Sequence, residues 1–160
     1  MRKSKLYLDT SIINFALAED ISEERLHGTK RLCEEINQGK YEGFISDVVL
    51  REIAETPDPA RRKALADFIT GLILEETLEV TKEVERLAVK YVDEGIIPTA
   101  HSDDALHIAL ASVNDMDIVV SWNFEHIVRH KTRVEVNGVN KLLGYQEIDI
   151  CTPLEVIEDV

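Results

Sequence analysis

The chain has 160 residues, 44% of them hydrophobic and 31% charged, and its 31 acids against 18 Lys and Arg leave a net charge of −13. That length and balance fit a single globular domain over residues 1–160. They exclude a disordered chain, and no apolar run reaches the roughly 20 residues of a membrane span. The charge also excludes attraction of nucleic acid by the global field, so a polyanionic substrate would need basic patches or bound cations to reverse the sign locally.

Leu6–Leu8 reads as a short buried strand that stops at Asp9, and this interruption of the apolar stretch after Lys3 and Lys5 argues against a secretory leader. Residues 22–38 carry Leu26, Leu32 and Ile36 at helical spacing, weakened by Gly28 and stopped by Gly39. YEGFIS (41–46) is a second strand, followed by a helix over 47–55. Pro59 suits the first turn of a further helix that runs to Thr70, and a third strand is expected around 77–80. Lys82–Glu94 is an amphipathic helix closed by Gly95 and Pro98. Ser102 is expected to cap a helix with almost no polar face, which places that helix centrally. IVVS (118–121) and 146–151 supply strands four and five, and Asn137-Gly138 reads as a turn, such as a small hairpin. Strands alternating with helices predict an open parallel α/β sheet covered on both faces, whose sites form at the carboxyl ends of the strands. Cys33 and Cys151 lie far apart in no ligand-like spacing, as expected of reduced structural thiols in a cytoplasmic protein.

Three acids fall near that rim. Asp9 ends strand one, Glu52 sits six residues past Ser46, and Asp104 is in the first turn of the buried helix beside Asp103. Each has an ordinary reading: a helix-start acid for Asp103 and Asp104, a solvated helix acid for Glu52, a turn for Asp9. Together they are harder to dismiss. Carboxylates about 4 Å apart repel by about 4 kcal/mol per pair at a surface-like dielectric. They must take up protons, pair with a cationic side chain or bind a cation. An oxygen-only set fits Mg²⁺ or Mn²⁺.

LYLDTSIIN (6–14), SDVVLREI (46–53) and DDALHIALA (103–111), followed by VVSWNF (119–124), resemble the PIN-domain ribonucleases, the family of the VapC-type toxins. The resemblance implies a three-layer α/β/α sandwich with a central parallel sheet of about five strands. It also implies a Mg²⁺- or Mn²⁺-dependent single-strand endoribonuclease, the toxin of a toxin–antitoxin pair. By motif position Asp9, Glu52 and Asp104 match the family's acidic ligands. Thr10 or Ser11 matches the hydroxyl that steadies the first carboxylate. The resemblance further implies an antitoxin partner and a homodimer. One departure stands out: the family's fourth acid is Asn123 here, and the position three residues on, where relatives with Asn often carry an acid, is His126.

His107, one turn past Asp104, is expected to be a hydrogen-bonded core histidine. Arg129, Lys131 and Arg133, with His130, form a basic patch just past the fourth strand, placed to receive a phosphate backbone; a solvated loop is the plainer reading. Trp122 is either packing or a platform for a base. Arg61, Arg62 and Lys63 form a second basic cluster. A phosphatase of the haloacid-dehalogenase type needs an acid at Ser11, and a phospho-receiver needs paired acids where Asp9-Thr10 stands, so both fit poorly. A PIN-like module that binds RNA or protein without cutting remains the alternative.

Overall fold

The computed structural model describes residues 2–157. Five parallel strands form one sheet: β1 (Lys5–Leu8), β2 (Glu42–Ser46), β3 (Leu74–Leu78), β4 (Ile118–Val120) and β5 (Asp149–Cys151), in the order β3-β2-β1-β4-β5. Between them run α1 (Thr10–Ala16), α2 (Glu23–Asn37), α3 (Asp47–Ala54), α4 (Pro59–Thr70), α5 (Lys82–Asp93), α6 (Ser102–Val113), α7 (His130–Leu143) and α8 (Pro153–Val156).

Alternation along the strands divides the interior into two cores. Tyr7, Phe44 and Val119 point to one face, where α5, α6 and α7 pack through Leu87, Ile108 and Val136. Leu6, Leu8, Ile45 and Val120 point to the other, against Ile12 of α1, Leu32 of α2 and Leu65 of α4. The result is the expected three-layer α/β/α sandwich. Gly28 permits α2 to approach α8: a Cβ there would lie 2.7 Å from Leu154 Cδ2.

The chain builds β1, β2 and β3 outward, then returns across the sheet to lay β4 on the other side of β1. The switch point therefore lies between the carboxyl ends of β1 and β4, where open parallel sheets form their ligand crevices.

Several local expectations need correction. The helix α1 follows Asp9 directly, where only a turn was expected, with Asp9 as its N-cap. The third strand starts earlier, at Leu74. Ser102 is the first residue of α6 rather than its cap; a 3-10 turn over Thr99–His101 feeds the helix and puts His101 at the cap position, with no capping side-chain bond. Asn137-Gly138 is not a hairpin but lies inside α7. The Asn137 amide instead pairs with the Ile148 backbone, donating to its carbonyl at 2.9 Å and accepting its N–H at 2.8 Å. The helix ends at Gly144, in the left-handed conformation (φ 87°) that glycine adopts at lowest cost.

Among the described residues no helix is long and apolar enough to cross a membrane. Both cysteines are buried and unpaired, and burial pushes each thiol up to about 12.

Candidate functional site

Asp9 leaves β1 at the switch point and is only 3% exposed. Its Oδ1 accepts the Ser11 N–H at 3.1 Å and the Ser11 hydroxyl at 2.5 Å; its Oδ2 accepts the Ser121 hydroxyl at 2.5 Å. Ser121 Oγ in turn accepts the Asn123 N–H at 2.9 Å, and Ser11 Oγ accepts the Trp122 N–H at 2.9 Å. The two hydroxyls thus tie the end of β1 to the end of β4 through the Asp9 carboxylate. Ser121 had no expected role. In the sequence it was the last letter of an apolar strand and stood two residues before Asn123 in the family motif, with no partner assigned.

Glu52 and Asp104 reach the same rim from α3 and α6. Glu52 Oε1 accepts the Thr10 hydroxyl at 2.7 Å and lies 2.7 Å from His107 Nε2. The other ring nitrogen of His107 lies 2.6 Å from the Tyr7 hydroxyl, which stands 2.7 Å from Ser46 Oγ. A polar chain Ser46–Tyr7–His107–Glu52–Thr10 therefore runs through the core to the rim. His107 is the hydrogen-bonded core histidine that was expected, and it also faces the acids.

The electrostatics follow from that placement. Burial would lower the His107 pKa, but the Glu52 hydrogen bond and the charges of Asp9, Glu52 and Asp104 raise it above the ordinary value. Burial raises the Asp9 carboxyl, against the pull of His107, Ser11 and Ser121. Asp104 is raised by burial too, against His107 and a hydrogen bond from Asn123. Burial pushes Glu52 up as well, but there His107 and Thr10 win and its pKa falls below the usual range. The acid cluster thus has a titratable partner in His107, where the sequence offers no obvious buried Lys or Arg.

Asp103 points away: Arg51 grips it from α3 with two bonds, of 2.8 and 3.2 Å. Asn123 turns its Oδ1 to the His126 N–H at 3.0 Å and its amide to Asp104. It therefore positions the acid and keeps only part of its carbonyl capacity. The carboxylate oxygens of Asp9, Glu52 and Asp104 are not drawn into one tight set. The trio that is, among the described residues, is His101, Asp104 and His126, whose donor atoms all lie within 4.8 Å of one another. His101, at the end of the 3-10 turn, Asp104 and His107, both on α6, recur every three residues, and that spacing was legible in the sequence.

The expected nucleic-acid contacts separate. Trp122 is a correction: it is 4% exposed, stacks on Phe15 at 5.5 Å and donates its indole N–H to Thr29 at 2.8 Å, so no ring face is open to a base. The exposed ring of the segment is Phe124, with the Arg25 guanidinium 5.0 Å from its centroid. Arg133 donates to the Ile150 carbonyl at 2.7 Å and lies 3.5 Å from Glu155. Arg129 donates to the Glu125 carbonyl, while Lys131 is exposed at the start of α7. In the second cluster Arg61 and Arg62 bond to the Asn14 and Thr56 carbonyls, and Lys63 pairs with Asp67.

Solved structures share this arrangement of strands and helices. A chain of VapBC2 from Rickettsia felis, bound to a DNA fragment from their promoter, is 13% identical, with 92% of this chain and 98% of that chain covered and a TM-score of 0.56. The fold is that of the VapC-type PIN domain. VapBC-5 of Mycobacterium tuberculosis, a member of the VapBC family of toxin–antitoxin systems, matches at 15% identity over 93% of this chain and 98% of that chain (TM-score 0.51). VapC20 of the same organism, a sarcin-ricin loop cleaving toxin, matches at 14% identity over 89% and 98% (TM-score 0.55). No family model matches the chain, and neither does any curated protein. At such identity the likeness to the VapC fold concerns the backbone. The chemistry rests on the residues at the switch point.

Proposed function

We propose that the chain is a divalent-metal-dependent endoribonuclease acting on single-stranded RNA, and the toxin of a toxin–antitoxin pair. The observation that carries this reading is the convergence of Asp9, Glu52 and Asp104 on the switch-point rim of a PIN fold, around one buried histidine. The residues fit a hard divalent ion such as Mg²⁺ or Mn²⁺. Three carboxylates face one rim where burial holds two of them above their usual pKa, so a cation that favours the charged forms and draws them together is accommodated. Bound there, such an ion supplies Lewis-acid chemistry toward water and the phosphoryl oxygens.

The chain's own residues do the rest. Ser11 and Ser121 fix both oxygens of Asp9. Thr10 orients Glu52, and Asn123 orients Asp104. His107 offsets the mutual repulsion of the three acids and anchors Glu52 to the core through Tyr7. Lys131 and the exposed edge of Phe124 are the groups best placed to receive RNA. An antitoxin partner is proposed from the VapBC likeness, a homodimer from the family resemblance alone.

A non-catalytic RNA- or protein-binding module is the second reading. It is favoured by two observations: hydroxyls already occupy both oxygens of Asp9, and the three acids are not preassembled into one ligand set. Digestion of total RNA with Mn²⁺, for wild type and Asp9→Asn, separates the two. The nuclease reading expects defined cuts that disappear in Asp9→Asn and in EDTA. Equal cutting in the variant or in EDTA sinks it, and RNA binding without cutting favours the module.

A further inference from the structure

His101, Asp104 and His126 reach one point from three segments: the end of the 3-10 turn, the first turn of α6 and the loop after β4. One nitrogen of each ring and one carboxylate oxygen lie within 4.8 Å of one another. The two rings stand 4.2 Å apart between centroids, inclined by 37°.

A second observation concerns one of the same two rings. His126 Nε2 is buried and has no hydrogen-bond partner among the described residues. Glu125 Oε1, at 3.7 Å, is too distant to serve. The His126 backbone is held at both ends, the N–H by Asn123 Oδ1 at 3.0 Å and the carbonyl by the Thr132 hydroxyl at 2.8 Å, which fixes the point from which the ring projects. A buried polar atom without a partner is costly and calls for an explanation. Asp104 is also steadied, by the Asn123 amide.

We propose that His101, Asp104 and His126 form a two-histidine, one-carboxylate site for a transition-metal ion such as Zn²⁺, Mn²⁺ or Co²⁺, beside the acid cluster and sharing Asp104 with it. Two imidazoles disfavour Mg²⁺, which takes oxygen ligands, and suit first-row transition ions. Three protein ligands leave positions open for water or a phosphate oxygen, the pattern of reactive rather than structural sites. Ligands about 2.1 Å from a tetrahedral ion stand about 3.4 Å apart. His101 is exposed and makes no capping bond, so its rotation can close the set. Any part this ion plays in cleavage rests on the nuclease reading; its binding does not.

Co²⁺ titration of the full chain, followed by visible d–d absorption, is the test. The expected result is one equivalent of Co²⁺ giving a band that Zn²⁺ abolishes by displacement. His101→Ala and His126→Ala should each weaken binding at least about tenfold, with the band kept in Asp9→Asn. His101 is exposed, so its variant keeps the experiment decisive if His126→Ala fails to fold. No band in wild type, an unchanged band in the histidine variants, or a band lost in Asp9→Asn overturns the proposal. Co²⁺ binding as described with no RNA cleavage refutes the nuclease and leaves this site standing. Mg²⁺-supported cleavage without a Co²⁺ band does the reverse.

Discussion

His107 joins Glu52 through Nε2 at 2.7 Å and, through its other nitrogen, reaches the buried Tyr7 hydroxyl at 2.6 Å. Both ring nitrogens are committed, so the histidine is a brace between the core and the rim rather than a free ligand. His107→Ala leaves the Tyr7 hydroxyl and Glu52 each short of a partner and is expected to cost about 2–4 kcal/mol. Glu52→Gln keeps an acceptor for Thr10 and should cost about 1 kcal/mol. Urea unfolding of the two single variants and the double variant measures the coupling directly. A coupling energy near zero means that the contact contributes no stability of its own.

The same histidine sets a pH dependence. A group whose pKa is raised by folding contributes stability that is complete below its unfolded value, about 6.5 for histidine, and is lost as pH rises through the folded value. His107, Asp9 and Asp104 are all raised, so each loses its contribution in the upward direction. Glu52 is lowered and does the opposite, losing its contribution only as pH falls through its folded value in the acid range. From about pH 6.5 upward the histidine adds its own loss. The metal-free protein should therefore melt at progressively lower temperature as pH rises past neutrality, and Mn²⁺ should recover most of the difference. A melting temperature that climbs over that interval contradicts the assigned direction.

The sheet, its layers and the rim were legible because they depend on alternation and punctuation. Leu6-Tyr7-Leu8 and Ile118-Val119-Val120 are apolar on both faces, as strands between two helical layers must be. Asn137-Gly138 misled because turn propensity is local, while the Asn137 amide is occupied by the distant Ile148 backbone. At the site, the residue types were readable and the partners were not. Nothing adjacent in sequence distinguishes Asp103 from Asp104; the packing of α3 on α6 delivers Arg51 to the first, and the loop after β4 brings Asn123 to the second. The role of Ser121 was hidden for the same reason, since its partner Asp9 lies 112 residues away.

That contrast between neighbours is testable. Asp103→Asn breaks a partly exposed ion pair, with side chains 38% exposed for Asp103 and 45% for Arg51. It should change stability by no more than about 1 kcal/mol and leave Mn²⁺-dependent cleavage near wild type. Asp104→Asn should abolish cleavage. Comparable losses in both variants would place Asp103 in the site after all.

The basic patch should divide in a similar way. Arg133 holds the end of β5 through the Ile150 carbonyl, so Arg133→Ala is expected to cost about 1–2 kcal/mol in urea unfolding. Lys131 is exposed, so Lys131→Glu should leave stability unchanged and weaken RNA binding several-fold, more at low salt than at high salt. Fluorescence anisotropy with a labelled RNA at two salt concentrations checks the second half. Unchanged affinity at low salt removes α7 from the RNA path.

Trp122 is the chain's one tryptophan, which turns its burial into a spectroscopic reporter. Packed on Phe15 and bonded to Thr29, it should emit at short wavelength and resist quenching by acrylamide. Trp122→Ala empties a well-filled site and should cost about 3–5 kcal/mol. Phe124→Ala removes a ring that is 46% exposed, so it should leave the fold intact and lower RNA affinity instead. Saturating RNA should shift Trp122 emission little in a catalytically dead background such as Asp104→Asn. Strong quenching there would mean that the loop after β4 opens on binding and that the indole leaves Phe15 to meet a base.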